Sequence, residues 1–87
     1  MLRYTVLNPK RYIPMTVIII NREPVELYKI LKFEGLVGTG GEAKMVIDEG
    51  LVTVNGMTEL RKRKKINSGD VIEFNGESYT IEFNPKS

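Results

Sequence analysis

Cysteine and histidine are both missing from this chain. Without cysteine there are no disulfides and no thiolate metal sites. Without histidine the usual general base and the commonest metal ligand are gone. No apolar run approaches the ~20 residues that span a bilayer. No charged, apolar and small-residue zones mark a signal peptide at the N-terminus, so the expected compartment is the cytoplasm. Catalytic arrangements are scarce for the same reasons. Asp48 and Glu49 adjoin at a predicted helix end, point in different directions and read as solvated surface. The stretch Gly38-Thr-Gly-Gly-Glu-Ala-Lys lacks the Gly-Lys-Ser/Thr ending of a phosphate-binding loop. No enzyme, cofactor, metal site or small-molecule substrate is expected.

What is present is charge, and it is segregated. With 87 residues the chain is one small domain with room for one modest core. The formal net charge is only +2. Residues 1–65 hold 12 Lys/Arg against 7 Asp/Glu, whereas residues 66–87 hold 1 against 4. A basic front and an acidic back suggest a polyanionic partner.

The first 14 residues read as an N-terminal extension, either a mobile tail or a short strand at Tyr4–Leu7. Pro9 and Pro14 interrupt it, Lys10 and Arg11 make it basic, and Met15 offers an alternative start, leaving 15–87 as the domain. The run Thr16–Ile20 is β-branched and predicts a strand buried on both faces or set against another surface. A first helix is predicted over about 24–34, with Pro24 in its first turn. Its apolar stripe is Leu27, Ile30 and Leu31, Lys29 and Lys32 lie off that stripe, and Gly35 closes it.

The second helix opens at Thr39, with Glu42 three residues on, the pattern of a capping box. Ala43, Val46 and Ile47 form its buried stripe and Gly50 ends it. Gly40 and Gly41 are poor helix formers. Either close helix packing in a tight turn or close approach of the backbone to an anionic ligand would favour them. Leu51–Val54 predicts a strand and Asn55-Gly56 a hairpin turn, with the return strand over 57–60. The run Arg61, Lys62, Arg63, Lys64, Lys65 then leaves the sheet, since five adjacent like charges cannot be buried together. Val71–Phe74 and Ser78–Phe83 are strands joined by a second Asn-Gly, and Tyr79, Ile81 and Phe83 share one face.

A charge run by itself is as readily a solvated face as a nucleic-acid contact. Five phosphate contacts on a duplex would give a logarithmic salt slope of order −4 to −5. Lys29, Lys32 and Lys44 extend the basic face if the helices pack beside the hairpin. No aromatic side chain interleaves the run, which favours backbone and shape recognition of folded RNA over stacking on single strands.

Over about residues 24–74 the order of signals resembles the S-four RNA-binding domain, also called the alpha-L RNA-binding motif. The resemblance rests on Leu27-Tyr-Lys-Ile-Leu-Lys32, Gly35-Leu-Val37, Thr39-Gly-Gly-Glu-Ala-Lys-Met-Val-Ile-Asp-Glu-Gly50, Val52-Thr-Val-Asn-Gly56 and Ser68-Gly-Asp-Val-Ile-Glu-Phe74. It is strongest toward small standalone bacterial members. It implies an α+β fold, with a helix-turn-helix-like pair packed on a small antiparallel sheet with hairpins. It also implies a non-enzymatic domain that binds structured RNA, ribosomal or transfer, in association with the ribosome and as a monomer. By position, the implied contacts are Lys44, Asn55-Gly56 and Arg61 to Lys65; the reading of the residues themselves adds Lys29, Lys32, Thr39, Gly40 and Gly41 on the adjoining helices. Many members carry Arg where this chain has Gly40, which leaves the basic run, or the glycine backbone itself, to compensate. A protein-interaction module that pairs the apolar strand 16–20 as an edge is the alternative, and a duplex-DNA reader is a third.

Overall fold

A computed structural model describes residues 2–7 and 14–87. Pro9, Lys10 and Arg11 lie outside the described residues. In chain order the elements are β1 (Leu2–Leu7), β2 (Pro14–Ile20), β3 (Val25–Glu26), α1 (Leu27–Phe33), α2 (Gly40–Asp48), β4 (Val52–Val54), β5 (Met57–Thr58), β6 (Lys65–Ile66), β7 (Val71–Phe74) and β8 (Glu77–Phe83). Six of the strands form one sheet in the order β1-β2-β8-β7-β4-β5, and β3 pairs with β6 in a second, two-stranded sheet. The fold is α+β, with two helices packed on a mixed sheet.

The β-branched run Thr16–Ile20 sits inside the sheet rather than at an edge. β1 flanks it on one side and β8 on the other, and Val17, Ile18 and Ile20 are buried. The edge-pairing premise of the interaction-module alternative is therefore gone. β1 itself replaces the expected tail: residues 2–7 pair antiparallel with β2 along their whole length. The sheet is also not wholly antiparallel, because β2 and β8 run parallel. Parallel neighbours need a long crossover, and nearly the whole domain lies between these two.

The first helix is shorter than its pattern predicts. It starts at Leu27 instead of 24, and Pro24, joined to Glu23 by a cis peptide bond, lies before it. Val25 and Glu26 are drawn into an extended ladder with Ile66 and Lys65, which stops the helix from forming earlier. Both helices end as their glycines predict. Gly35 and Gly50 take φ of +70° and +76°. Gly35 N–H donates to Lys32 O and Leu36 N–H to Leu31 O, and the same pair recurs from Gly50 to Ile47 and from Leu51 to Val46. These are Schellman closures, which satisfy carbonyls the helix cannot.

The core lies between the helices and one face of the sheet. Leu27, Ile30, Leu31, Ala43, Val46 and Ile47 from the helices meet Ile18, Ile20, Val52, Ile72, Tyr79 and Ile81 from the strands. Phe83 does not join Tyr79 and Ile81 inside; at the last position of β8 it is exposed. The opposite face has no helix over β1, and Leu2, Tyr4 and Val6 are exposed there. Both Asn-Gly pairs form the predicted turns, with positive φ at Asn55, Gly56, Asn75 and Gly76. The return strand after the first turn is only Met57–Thr58, shorter than the expected 57–60.

Candidate nucleic-acid interface

A helix leaves its first N–H groups without intrahelical partners. In α1 no side chain caps them. Leu27 N–H instead donates to Lys64 O at 2.9 Å and Tyr28 N–H to Lys62 O at 3.1 Å. The basic run is therefore not a free excursion from the sheet. Its carbonyls cap α1, Lys64 N–H closes a turn onto Arg61 O at 3.2 Å, and Lys65 enters β6 beside fully buried Ile66. The run bends along the scaffold so that Arg61, Arg63 and Lys65 stand exposed while Lys62 and Lys64 are half-buried.

Ion pairs divide these cations into two groups. Arg61 Nε lies 2.9 Å from Glu59 Oε2, and its Nη2 donates to Glu59 Oε1 at 3.1 Å. Those bonds hold the Glu59 carboxyl below its usual carboxylate range. Lys62 meets Asp48 at 3.1 Å, while Glu26 takes Lys29 at 3.2 Å and Arg63 at 3.9 Å. Among the described residues, no carboxylate pairs with Lys32, Lys44, Lys64 or Lys65. Arg61, Arg63, Lys64 and Lys65 surround a basin of about 360 Å³.

The helices continue the same surface. Lys44 Nζ of α2 sits 4.8 Å above the Tyr28 ring of α1, and Lys29 Nζ lies 5.9 Å from that ring. Lys32 reaches toward the start of α2, where a Cβ built on Gly40 would meet its Cδ at 3.7 Å. Lys44, Tyr28, Lys29, Glu26 and Arg63 thus form one contact chain from α2 to the basic run, and Lys62 closes it back to α2 through Asp48.

Thr39 caps α2 as predicted, accepting from Glu42 N–H at 3.0 Å. The glycines after it are not a tight turn. A Cβ on Gly41 would find nothing closer than Thr39 Oγ1 at 3.8 Å, and neither Gly40 nor Gly41 has a positive φ. Neither packing nor backbone conformation within the chain demands glycine there.

Asn55 has a structural task. Its Nδ2 donates to Asp70 Oδ1 at 3.0 Å, its Oδ1 accepts from Val71 N–H at 2.9 Å, and its own N–H donates to Val71 O at 2.8 Å. Asp70 also accepts from Asn67 N–H. The hairpin turn is thereby fastened to the turn before β7, with one Nδ2 hydrogen and one Oδ1 lone pair of exposed Asn55 left over. Gly56 contributes the left-handed turn position, with φ +83°.

The sequence pattern missed two participants. Glu59 orients Arg61, which a short-range charge pair two residues away could have signalled. Met57, expected inside a longer return strand, is instead 75% exposed at the hairpin.

Comparisons with known proteins converge. Residues 18–82 match the family model described as the S4 domain. The chain is 46% identical over 57 residues to YbcJ of Escherichia coli (strain K12), covering 66% of this chain and 81% of that one, and matches YbcJ of Shigella flexneri to the same extent. The solution structure of E. coli YbcJ, described as revealing an αL motif involved in RNA binding, superposes with a TM-score of 0.59 at 40% identity. That match covers 76% of this chain and 85% of that one. The 30S ribosomal protein S4e of Thermoplasma acidophilum gives a TM-score of 0.62 at 35% identity. It covers 75% of this chain but only 34% of S4e.

Proposed function

The chain belongs to the S4-domain family, and from that premise we propose that it is a non-enzymatic binder of structured RNA. The observation that carries the reading is the capping of α1 by Lys62 and Lys64 carbonyls. It holds a like-charged run in fixed relation to the lysines of both helices, which a merely solvated charge run would not need. The RNA-binding motif named for YbcJ and the ribosomal membership of S4e support an RNA partner, ribosomal or transfer, met in the cytoplasm and bound by a monomer.

Lys32, Lys44, Lys64 and Lys65 are the first contacts, because no carboxylate has to be displaced before they meet phosphate. Arg61 presents a guanidinium already oriented by Glu59, suited to a bidentate phosphate contact. Lys29, Lys62 and Arg63 exchange a carboxylate for a phosphate on an exposed surface, where such pairs are worth only ~0–1 kcal/mol. Thr39, Gly40 and Gly41 offer backbone N–H groups at the mouth of α2, next to Lys32. Asn55 and Gly56 hold the hairpin in shape.

The test is an electrophoretic shift series with a structured RNA across salt, with duplex DNA as competitor. Neutralising 61–65 to glutamine abolishes the shift if the reading holds. Binding that survives the change, or that duplex DNA removes as easily as RNA does, overturns it.

A further inference from the structure

A second basin adjoins the basic one and differs from it in character. It measures about 370 Å³, and its apolar wall is Val54 and Met57. Arg61 and Lys64 line both basins. Both volumes fall at the low end of small-molecule sites, roughly 300–1,000 Å³. Val54 is buried, and Met57 is the most exposed of the large hydrophobic side chains described. Methionine is flexible and polarisable, and it conforms to flat partners.

The polar groups of this second basin are mostly engaged. Asn55 is fastened to Asp70 and Val71, and Glu59 is bound to Arg61. The Thr58 hydroxyl remains, able both to donate and to accept. Of the two shared cations, Arg61 is oriented by Glu59, and the Lys64 backbone is fixed by its carbonyl on Leu27 N–H. A basin lined by four cationic residues, next to one lined also by Val54, Met57 and Thr58 and sharing Arg61 and Lys64 with it, matches the two ends of one nucleotide.

We propose that these joined basins take a single nucleotide extruded from the RNA, its phosphate among Arg61, Arg63, Lys64 and Lys65 and its base against Val54 and Met57. The inference rests on the RNA-binding reading and narrows it: the RNA carries a bulged or otherwise unstacked residue, the kind of feature whose base edges become accessible to protein. Because Thr58 can donate or accept, the basin selects for extrusion more than for base identity.

The test compares an RNA hairpin with a single-nucleotide bulge against the same hairpin fully paired, with 2-aminopurine at the bulge. The bulged hairpin binds roughly tenfold tighter, and 2-aminopurine fluorescence rises as the base leaves the stack. Changing the bulged base alters affinity less than about threefold, since the basin has one ambivalent polar group. Met57→Ala narrows the ratio of bulged to paired affinity, and Met57→Leu restores it. Met57 is exposed, so neither change endangers the fold. Equal affinity for the two hairpins, unchanged fluorescence, or a ratio that survives Met57→Ala each overturns the proposal while leaving RNA binding intact. If neither hairpin binds at low salt, the RNA reading itself fails and this inference with it.

Discussion

Replacing Gly40 and Gly41 by alanine should move stability and RNA binding in opposite directions. Both residues lie in the first turn of α2, just after the Thr39 cap. Neither has a positive φ, and the nearest atoms to the added Cβ positions are 3.7 Å and 3.8 Å away, ordinary van der Waals distances. Alanine therefore fits without displacing a neighbour. Glycine costs up to ~1 kcal/mol against alanine in a helix interior, and compatible Gly→Ala changes gain ~0.4–1 kcal/mol. First-turn positions sit at the lower end of that range, so the double replacement gains roughly 1 kcal/mol, a rise in Tm of about 4–8 °C for a domain of this size. If the glycines are there to let the backbone approach phosphate, the two methyl groups hold the phosphate away. One charge-assisted hydrogen bond is worth ~1.5–3 kcal/mol, so affinity falls roughly tenfold or more. Thermal denaturation and RNA titration at fixed salt read the two effects separately. A fall in Tm refutes the structural part of the reasoning. A rise in Tm with unchanged affinity refutes the functional part and leaves the glycines unexplained.

The salt dependence of binding should reflect which cations are already unpaired: Lys32, Lys44, Lys64 and Lys65 alone give a logarithmic slope of roughly −3 to −4 on a duplex, and a titration slope shallower than −2 means that they are not the contacts. Thr39→Ala removes the bond to Glu42 N–H and costs about 1 kcal/mol, measurable by urea denaturation. Tyr79 has its phenol pushed up to about 12, first by burial and then by its bond to Glu77. The folded state thus favours the neutral phenol, so this contribution is complete below pH 10 and is lost as pH rises through 12. Absorbance titration should show Tyr79 ionising late, a component that Tyr79→Phe removes together with its share of the alkaline destabilisation.

The parts of the fold legible in sequence are those set by short-range chemistry. Thr39 and Gly50 bracket α2, Gly35 closes α1, and the two Asn-Gly pairs turn where they must, because each answers a local backbone requirement. What escaped depends on distant partners. Val25 and Glu26 look like the first turn of a helix until Ile66 and Lys65 pair with them, and a two-residue strand has no periodicity to detect. Thr16–Ile20 announced a strand buried on both faces or set against another surface, but only assembly shows that β1 and β8 pair with its two edges. At the interface the positions of the cations were legible and their pairing was not. Nothing near Asn55 in sequence reveals that Asp70 and Val71 occupy its amide.

Two places in this chain violate the local rules that favour stability, and they fall on the same surface. The first is the glycine pair opening α2, where alanine would fit and would be better. The second is the start of α1, where the positive end of the helix dipole meets the backbone of a five-cation run. Negative groups are favoured at a helix N-terminus, and cations beside it raise the energy of the fold. Glu26, adjacent to α1, offsets part of this through Lys29 and Arg63. It does not reach Lys64 or Lys65, with which no carboxylate forms an ion pair among the described residues. Lys44 of α2 links the two elements, its Nζ over the Tyr28 ring in the first turn of α1. Local conflicts that persist side by side are expected where a surface serves a ligand rather than the fold. An RNA phosphate would relieve both conflicts: it would accept from the open N–H groups of α2 and neutralise the cations at α1. The family membership indicates what kind of surface this is. The coincidence of the two conflicts, on helices that Lys44 and Tyr28 join, is the reason for proposing the RNA contact on this part of the chain.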